Sequence, residues 1–234
     1  MIDIQTHRLF MIKILKDIYS NFELSSLLGF KGGTALYLFY ELPRFSVDLD
    51  FNLLDVSRTD FVYRSVKKIV NKYGKIKDDY IKRNTIFFLL SYGEEERNIK
   101  IEISLVDIPN EYEIKQYLGV PILVMKKEYM AANKLVALTE RTGMANRDIF
   151  DICFFLKAGW SIKDEIVRLR TGMKLKEYIP KCIEFIEAVD RKYILHGMGE
   201  ILDGKLKAWV KNHMVTDVLF YLRYYLDQID KKRP

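Results

Sequence analysis

Asp48 and Asp50 stand one residue apart in the run Val47-Asp-Leu-Asp-Phe-Asn-Leu53, where apolar residues alternate with polar ones. Such alternation predicts a strand with one buried face. Side chains two apart on a strand point the same way, so both carboxylates share the polar face. Like charges held together make each other costly to ionise, and a divalent cation removes that cost. Mg²⁺ suits the pair, because it takes hard oxygen ligands and bridges to substrate phosphates. Mn²⁺ is the alternative ion. An isolated Asp-x-Asp also fits a solvated strand face, so its surroundings decide.

Gly32, Gly33 and Thr34 lie fourteen to sixteen residues upstream of Asp48, leading into a short predicted helix, Ala35–Tyr40. Glycines let a backbone approach a phosphate closely, and a helix N-terminus offers free N–H groups to anions. Thr34 adds a hydroxyl donor. An ordinary tight turn would look the same in isolation. Glu102 is a third acid. In Lys100–Leu105 it alternates with Ile101, Ile103 and Leu105 and falls on the polar face of its strand. If that strand neighbours Val47–Leu53, Glu102 completes an acidic triad for two-ion phosphoryl chemistry. The plain alternative is a surface Glu.

The elements that must hold these residues divide the chain in two. A helix is predicted from Thr6, as its cap, through Tyr19, with Asn21 and Ser25–Ser26 interrupting it. Phe30–Thr34 leads into the short helix, which ends near Pro43. The strand Val47–Leu53 follows, then a helix, Arg58–Tyr73, with Val62, Val66, Ile69 and Val70 on one stripe. Thr85–Tyr92 and Ile99–Val106 read as a hairpin around Gly93–Asn98, and Val120–Val124 as a further strand. Beyond that every segment reads as helical: Lys126–Arg141, Arg147–Lys157, Ile162–Arg170, Lys174–Tyr193, Leu206–His213 and Val215–Ile229. The expected organisation is α+β: an α/β domain over 1–125 and a helical C-terminal domain over 126–234. Phe220, Tyr221, Tyr224 and Tyr225 of the last helix are expected to close the core, with packing against another chain as the alternative.

The 234 residues, 49% of them hydrophobic and 30% charged, describe a folded globular protein. Cys153 and Cys182 form no metal-binding spacing with the scattered His7, His196 and His213, and both read as core thiols. The first ten residues lack the pattern of a signal peptide, and no run nears the ~20 apolar residues of a spanning helix. A cytoplasmic protein without a membrane segment is expected. The net charge is +6, and Arg58–Arg83 alone holds nine Lys or Arg against three Asp. A local basic excess suits a polyanion such as RNA, although a solvated helix face is the commoner cause.

Gly32-Gly33-Thr34-Ala35-Leu36 followed by Arg44-x-Ser46-x-Asp48-Leu49-Asp50-Phe51 resembles the AbiEii/AbiGii toxin family of nucleotidyltransferases. That family, which includes the MenT toxins, lies within the DNA polymerase β-like superfamily. The resemblance runs from about Leu28 to Leu156. It implies a mixed nucleotidyltransferase-type sheet with flanking helices. It also brings a Lys after the sheet, matched by Lys134, and an Asp soon afterwards, matched by Asp148 with Asp151 in reserve. The plain alternatives are a helix cap for Asp148 and a solvated helix position for Lys134, the latter weakened by its setting among Ala131, Ala132, Leu135 and Val136.

The resemblance implies transfer of a nucleoside monophosphate from an NTP to an acceptor hydroxyl, with release of pyrophosphate. Asp48 and Asp50 would hold Mg²⁺, with Glu102 as a further ligand. Glu102 or Asp148 would help deprotonate the acceptor. Gly32, Gly33 and Thr34 would cradle the triphosphate. Lys134 and Arg44 would offset developing charge, and Ser46 would bond a phosphate or fix the Arg44 turn. Related toxins modify tRNA 3′ ends and are encoded beside an antitoxin, so an RNA acceptor and a cognate antitoxin are the expected partners. Two other readings remain open: a small-molecule nucleotidyltransferase of the antibiotic-modifying type, and a catalytically idle module that keeps the fold.

Overall fold

The computed structural model describes residues 3–93, 98–140 and 145–231. The chain forms two compact units, Met1–Met125 and Lys126–Pro234.

The first unit opens with α1, Ile4–Ser20. Its cap is Asp3, whose carboxylate accepts from the Gln5 and Thr6 N–H groups, so Thr6 is a capped residue rather than the cap. Asn21 ends α1 and caps α2, Phe22–Leu27, so Ser25 and Ser26 lie inside a second short helix. The chain then runs through β1 (Leu28–Lys31), α3 (Gly32–Phe39), β2 (Asp48–Leu53) and α4 (Thr59–Val70). Five more strands follow: β3 (Lys75–Lys82), β4 (Thr85–Ser91), β5 (Ile99–Ser104), β6 (Tyr112–Tyr117) and β7 (Val120–Met125). Three of these seven strands, β1, β3 and β6, go beyond what the sequence pattern predicts. The predicted hairpin forms as β4 and β5, which pair antiparallel; residues 94–97 of its loop lie outside the described residues.

All seven strands join one mixed sheet in the order β3-β4-β5-β2-β1-β7-β6. The β1–β7 and β2–β5 pairs are parallel and the others antiparallel. One face is apolar. Leu28, Phe30, Leu49, Phe51, Ile86, Phe88, Ile99, Ile101, Ile103, Ile122 and Val124 are buried there. Helices α1 and α4 cover it, with Tyr19 against Phe51 and Tyr63 stacked on Phe88. Met11, Ile14, Leu15 and Ile18 of α1 and Val62, Val66 and Val70 of α4 complete this layer. Burial of that area is the main stabilising term of the unit. The opposite face of β2 and β5 presents Asp48, Asp50, Lys100 and Glu102.

The second unit is helical: α5 (Lys127–Glu140), α6 (Asn146–Lys157), α7 (Asp164–Thr171), α8 (Leu175–Glu187), α9 (Gly204–Asn212) and α10 (Met214–Lys231). The predicted end of the first of these at Arg141 lies outside the described residues. The predicted helix through Tyr193 stops at Glu187, and Arg191–Tyr193 forms a separate 3₁₀ turn. In α10 the buried stripe is Val215, Val218, Leu219 and Leu222, whereas Phe220 and Tyr224 are exposed, which corrects the expectation of an aromatic core. Tyr225 is tied in by its hydroxyl, which accepts from Ile162 N–H at 2.9 Å. Cys153 and Cys182 are buried free thiols, each pushed up to about 12 by loss of water. Among the described residues no helix is long and apolar enough to cross a membrane.

Candidate active site

The site is built around β2. Its parallel neighbour β5 pairs in a register that sets Asp48 beside Lys100 and Asp50 beside Glu102. Register partners share a face, so the two aspartates and Glu102 stand on the same side of the sheet, as alternation in each strand requires. Asp48 and Asp50 are half-buried, and Glu102 is exposed. Among the described residues, however, no three His, Cys, Asp or Glu side chains gather closely enough to hold a metal ion between them. The expected three-acid cluster is therefore not closed: Glu102 shares the face without joining Asp48 and Asp50 around one point.

On the other side of β2, β1 pairs antiparallel and sets Lys31 beside Asp50. The chain turns at once into α3 through Gly32 and Gly33. Gly32 has φ +79°, a left-handed conformation that favours glycine. A β-carbon there would fall 2.2 Å from Asp50 Oδ2. The Asp50 carboxylate thus lies against the bare backbone of the turn. Gly33 is crowded by two other side chains: its β-carbon would sit 2.7 Å from Ser46 Oγ and 3.1 Å from Arg44 Nη2. Arg44 is 3% exposed, and its Nη1 donates to the Phe45 carbonyl at 3.1 Å. Arg44 and Ser46 therefore flank the turn that begins α3, where the first N–H groups of the helix lie.

Thr34 has a different place from the one its spacing suggests. It is buried, and its hydroxyl donates to the Asp48 carbonyl. That bond couples the first turn of α3 to the strand bearing the carboxylates. A second tie is not legible in the sequence. His7 of α1 is buried, with Nε2 2.9 Å from the Val47 carbonyl and Nδ1 2.7 Å from the Tyr92 hydroxyl. A carbonyl only accepts, so Nε2 carries a proton. The residues just before and at the first aspartate are thus held by hydrogen bonds from two helices. Tyr112 is the other unforeseen member. Its ring lies over Gly29, where a β-carbon would fall 2.1 Å from a ring carbon, and its hydroxyl accepts from Asn52 Nδ2 at 2.7 Å. Burial pushes this phenol up to about 12.

In the helical unit, Lys134 of α5 reaches two aspartates of α6. Its Nζ is 3.0 Å from Asp148 Oδ1 and 3.0 Å from Asp151 Oδ2. The Lys134 side chain is 17% exposed, and those of Asp148 and Asp151 are at most 1% exposed. A solvated lysine and a capping aspartate are both ruled out by this geometry; α6 has no side-chain cap. One ammonium engages both Asp148 and Asp151.

The basic stretch is split by the fold. Helix α4 carries Lys67, and Lys72 stands in the turn after it, on the far side of the sheet from the carboxylates. Lys67 donates to Asp79 at 2.7 Å and Lys72 to Asp17 at 2.9 Å. These charges are met within the protein, which weakens the reading of this helix as a phosphate-binding face.

Paired acids on one sheet face thus lie beside a double-glycine turn that opens a helix. Residues 13–193 match the family model described as nucleotidyl transferase AbiEii toxin, type IV TA system, and the chain belongs to that family. No curated protein matches it. Two solved structures share the fold. A protein from H. pylori, described as a candidate nucleotidyltransferase, superposes with TM-score 0.61 at 22% identity, over 98% of this chain and 97% of its own. JHP933 from Helicobacter pylori does so with TM-score 0.56 at 23% identity, over 97% of each chain.

Proposed function

We propose that this nucleotidyltransferase transfers a nucleoside monophosphate from an NTP to an RNA hydroxyl, in a divalent-metal-dependent reaction, as the toxin partner of a cognate antitoxin. The observation that carries the reading is the contact of Asp50 with Gly32. It brings a carboxylate pair and the double-glycine turn to one locus, which supports reading that turn as the phosphate cradle.

The donor set fits Mg²⁺. Two half-buried carboxylates on one face are the protein share such an ion takes, with triphosphate oxygens and water filling its remaining positions. Asp48 and Asp50 would hold it, with Glu102 near enough on the face to bond a water or the acceptor. When bound, the ion polarises the phosphoryl group and lowers the pKa of an attacking hydroxyl. The protein's own share is positioning. The first N–H groups of α3 and the buried Arg44 guanidinium would face phosphate charge beside Gly33, where a guanidinium binds two oxygens at once. Ser46 Oγ is placed to donate to the same group. Thr34 and His7 fix the strand so that the carboxylates need not reorganise during reaction. Lys134, held as an ammonium between Asp148 and Asp151, is assigned to the reaction through the family motif. The two aspartates orient it.

RNA as acceptor is supported by the resemblance to toxins that modify tRNA ends and by the half-exposed aromatic pair described next. The test is label transfer from each α-labelled NTP into RNA with Mg²⁺. Loss of transfer in Asp48→Asn and Asp50→Asn, with folding retained, supports the assignment; transfer that survives both changes rejects it.

A further inference from the structure

Successive registers across five strands line up one row of side chains: Lys31, Asp50, Glu102, Phe87 and Tyr80. All lie on the face that carries the carboxylates. At the outer end the Phe87 and Tyr80 rings stack, with centroids 4.8 Å apart and planes 15° from parallel. The Lys82 ammonium sits 4.1 Å from the Tyr80 centroid. Phe87 and Tyr80 are half-buried, whereas the neighbouring Phe88, on the covered face, is fully buried. Stacking of this pair therefore leaves aromatic surface open to solvent, in line with the metal-binding pair.

We infer that Phe87 and Tyr80 form a stacking shelf for the unpaired terminal base of a single-stranded RNA acceptor. The inference rests on the RNA reading proposed above and deepens it. Phe87 is the ring nearer the carboxylates, two strand spacings or about 10 Å from Asp50. A base laid against it places its sugar toward Glu102 and Asp50. The direction matters. The double-glycine turn follows β1 and so lies across β2 from the shelf, which assigns the triphosphate to one flank and the acceptor to the other. Lys75, Lys82 and Lys100 are exposed on the shelf side of the sheet, where a phosphate backbone would run. Asp78 and Glu102 share that side, so the charge excess is small and the aromatic surface carries the recognition. Base–aromatic stacking tolerates any base, which suits an acceptor read by shape and position.

The experiment uses the full chain and a short single-stranded RNA ending in 2-aminopurine, whose fluorescence falls on stacking. The parent protein should quench it. Phe87→Leu, which keeps apolar volume but removes the ring, should abolish the quench. It should also raise the RNA concentration for half-maximal transfer about tenfold, with KM for NTP and kcat at saturating RNA unchanged. Phe87→Trp should restore both. Unchanged RNA dependence in Phe87→Leu would reduce the pair to a cross-strand contact and overturn the inference while leaving the RNA reading intact. A rise confined to KM for NTP would overturn it in favour of the nucleotide's own base. If the parent neither binds nor labels RNA, the acceptor reading itself fails and the shelf fails with it.

Discussion

Replacing Gly32 by alanine tests the join between the turn and the Asp48/Asp50 pair. Two costs can be worked from the geometry. At φ +79° an alanine pays about 1–2 kcal/mol for the left-handed conformation. Its β-carbon would also fall 2.2 Å from Asp50 Oδ2 and 2.8 Å from Asp50 Cβ. To regain van der Waals distance the carboxylate must retreat by about 1 Å, a misplacement that costs on the order of 10²-fold in rate. Gly119 supplies the control. It has the same φ of +79°, but an added β-carbon there would meet nothing within 4 Å. Both variants should lose about 2–8 °C in melting temperature. Only Gly32→Ala should lose transfer, about 100-fold at saturating NTP and RNA, while Gly119→Ala stays near the parent. The assay is steady-state incorporation of labelled nucleotide, paired with a thermal melt of each variant. Equal activity in the two variants would refute the claim that the turn's bareness serves the carboxylate.

Asp48→Asn should abolish transfer while leaving the melt equal to the parent or slightly raised, because a like-charge neighbour is removed; collapse of the fold would make the residue structural instead. Lys134→Ala should destabilise by about 3–5 kcal/mol in a denaturant melt, since it removes the ammonium that meets the buried Asp148 and Asp151 carboxylates. Adding Asp148→Asn and Asp151→Asn should recover much of that stability, and a parent-like melt for Lys134→Ala alone would contradict the ion triad. Asp79 is held below its ordinary value chiefly by the hydrogen bond from Lys67, then by that from Tyr63. Its stabilising effect is full above pH 3.8 and fades as pH falls through the lower folded value. Urea midpoints at about pH 6 and about pH 3 should therefore differ less in Asp79→Asn than in the parent.

The parts of this fold that announce themselves in the sequence are those with clean alternation or a clean helical stripe. Asp48–Leu53 and Ile99–Ser104 alternate without a break, so both strands and the outward side of Glu102 are legible. Edge strands hide for physical reasons. In Lys75–Lys82 a bulge between Ile76 and Asp78 breaks the period of two, and most of the strand is solvated. Strand β6 is joined to β7 by Leu118-Gly119, with φ of +48° and +79°. That is a tight hairpin turn, but leucine is a poor advertisement for a left-handed residue. The lysines of α4 and the turn after it look like a polyanion surface because their partners are remote in the chain: Asp79 is 12 residues from Lys67, and Asp17 is 55 from Lys72. For the same reason a lone His7, 40 residues from the carbonyl it holds, gives no local sign of its role.

The central claim is best tested by one incubation: purified protein, Mg²⁺, each α-labelled NTP in turn, and total RNA, with products resolved by size and free pyrophosphate measured. The account predicts label in RNA from at least one NTP, pyrophosphate in equal amount, and neither product with Asp50→Asn. Labelled RNA that persists in Asp50→Asn, or pyrophosphate released with label entering only small molecules, would contradict it.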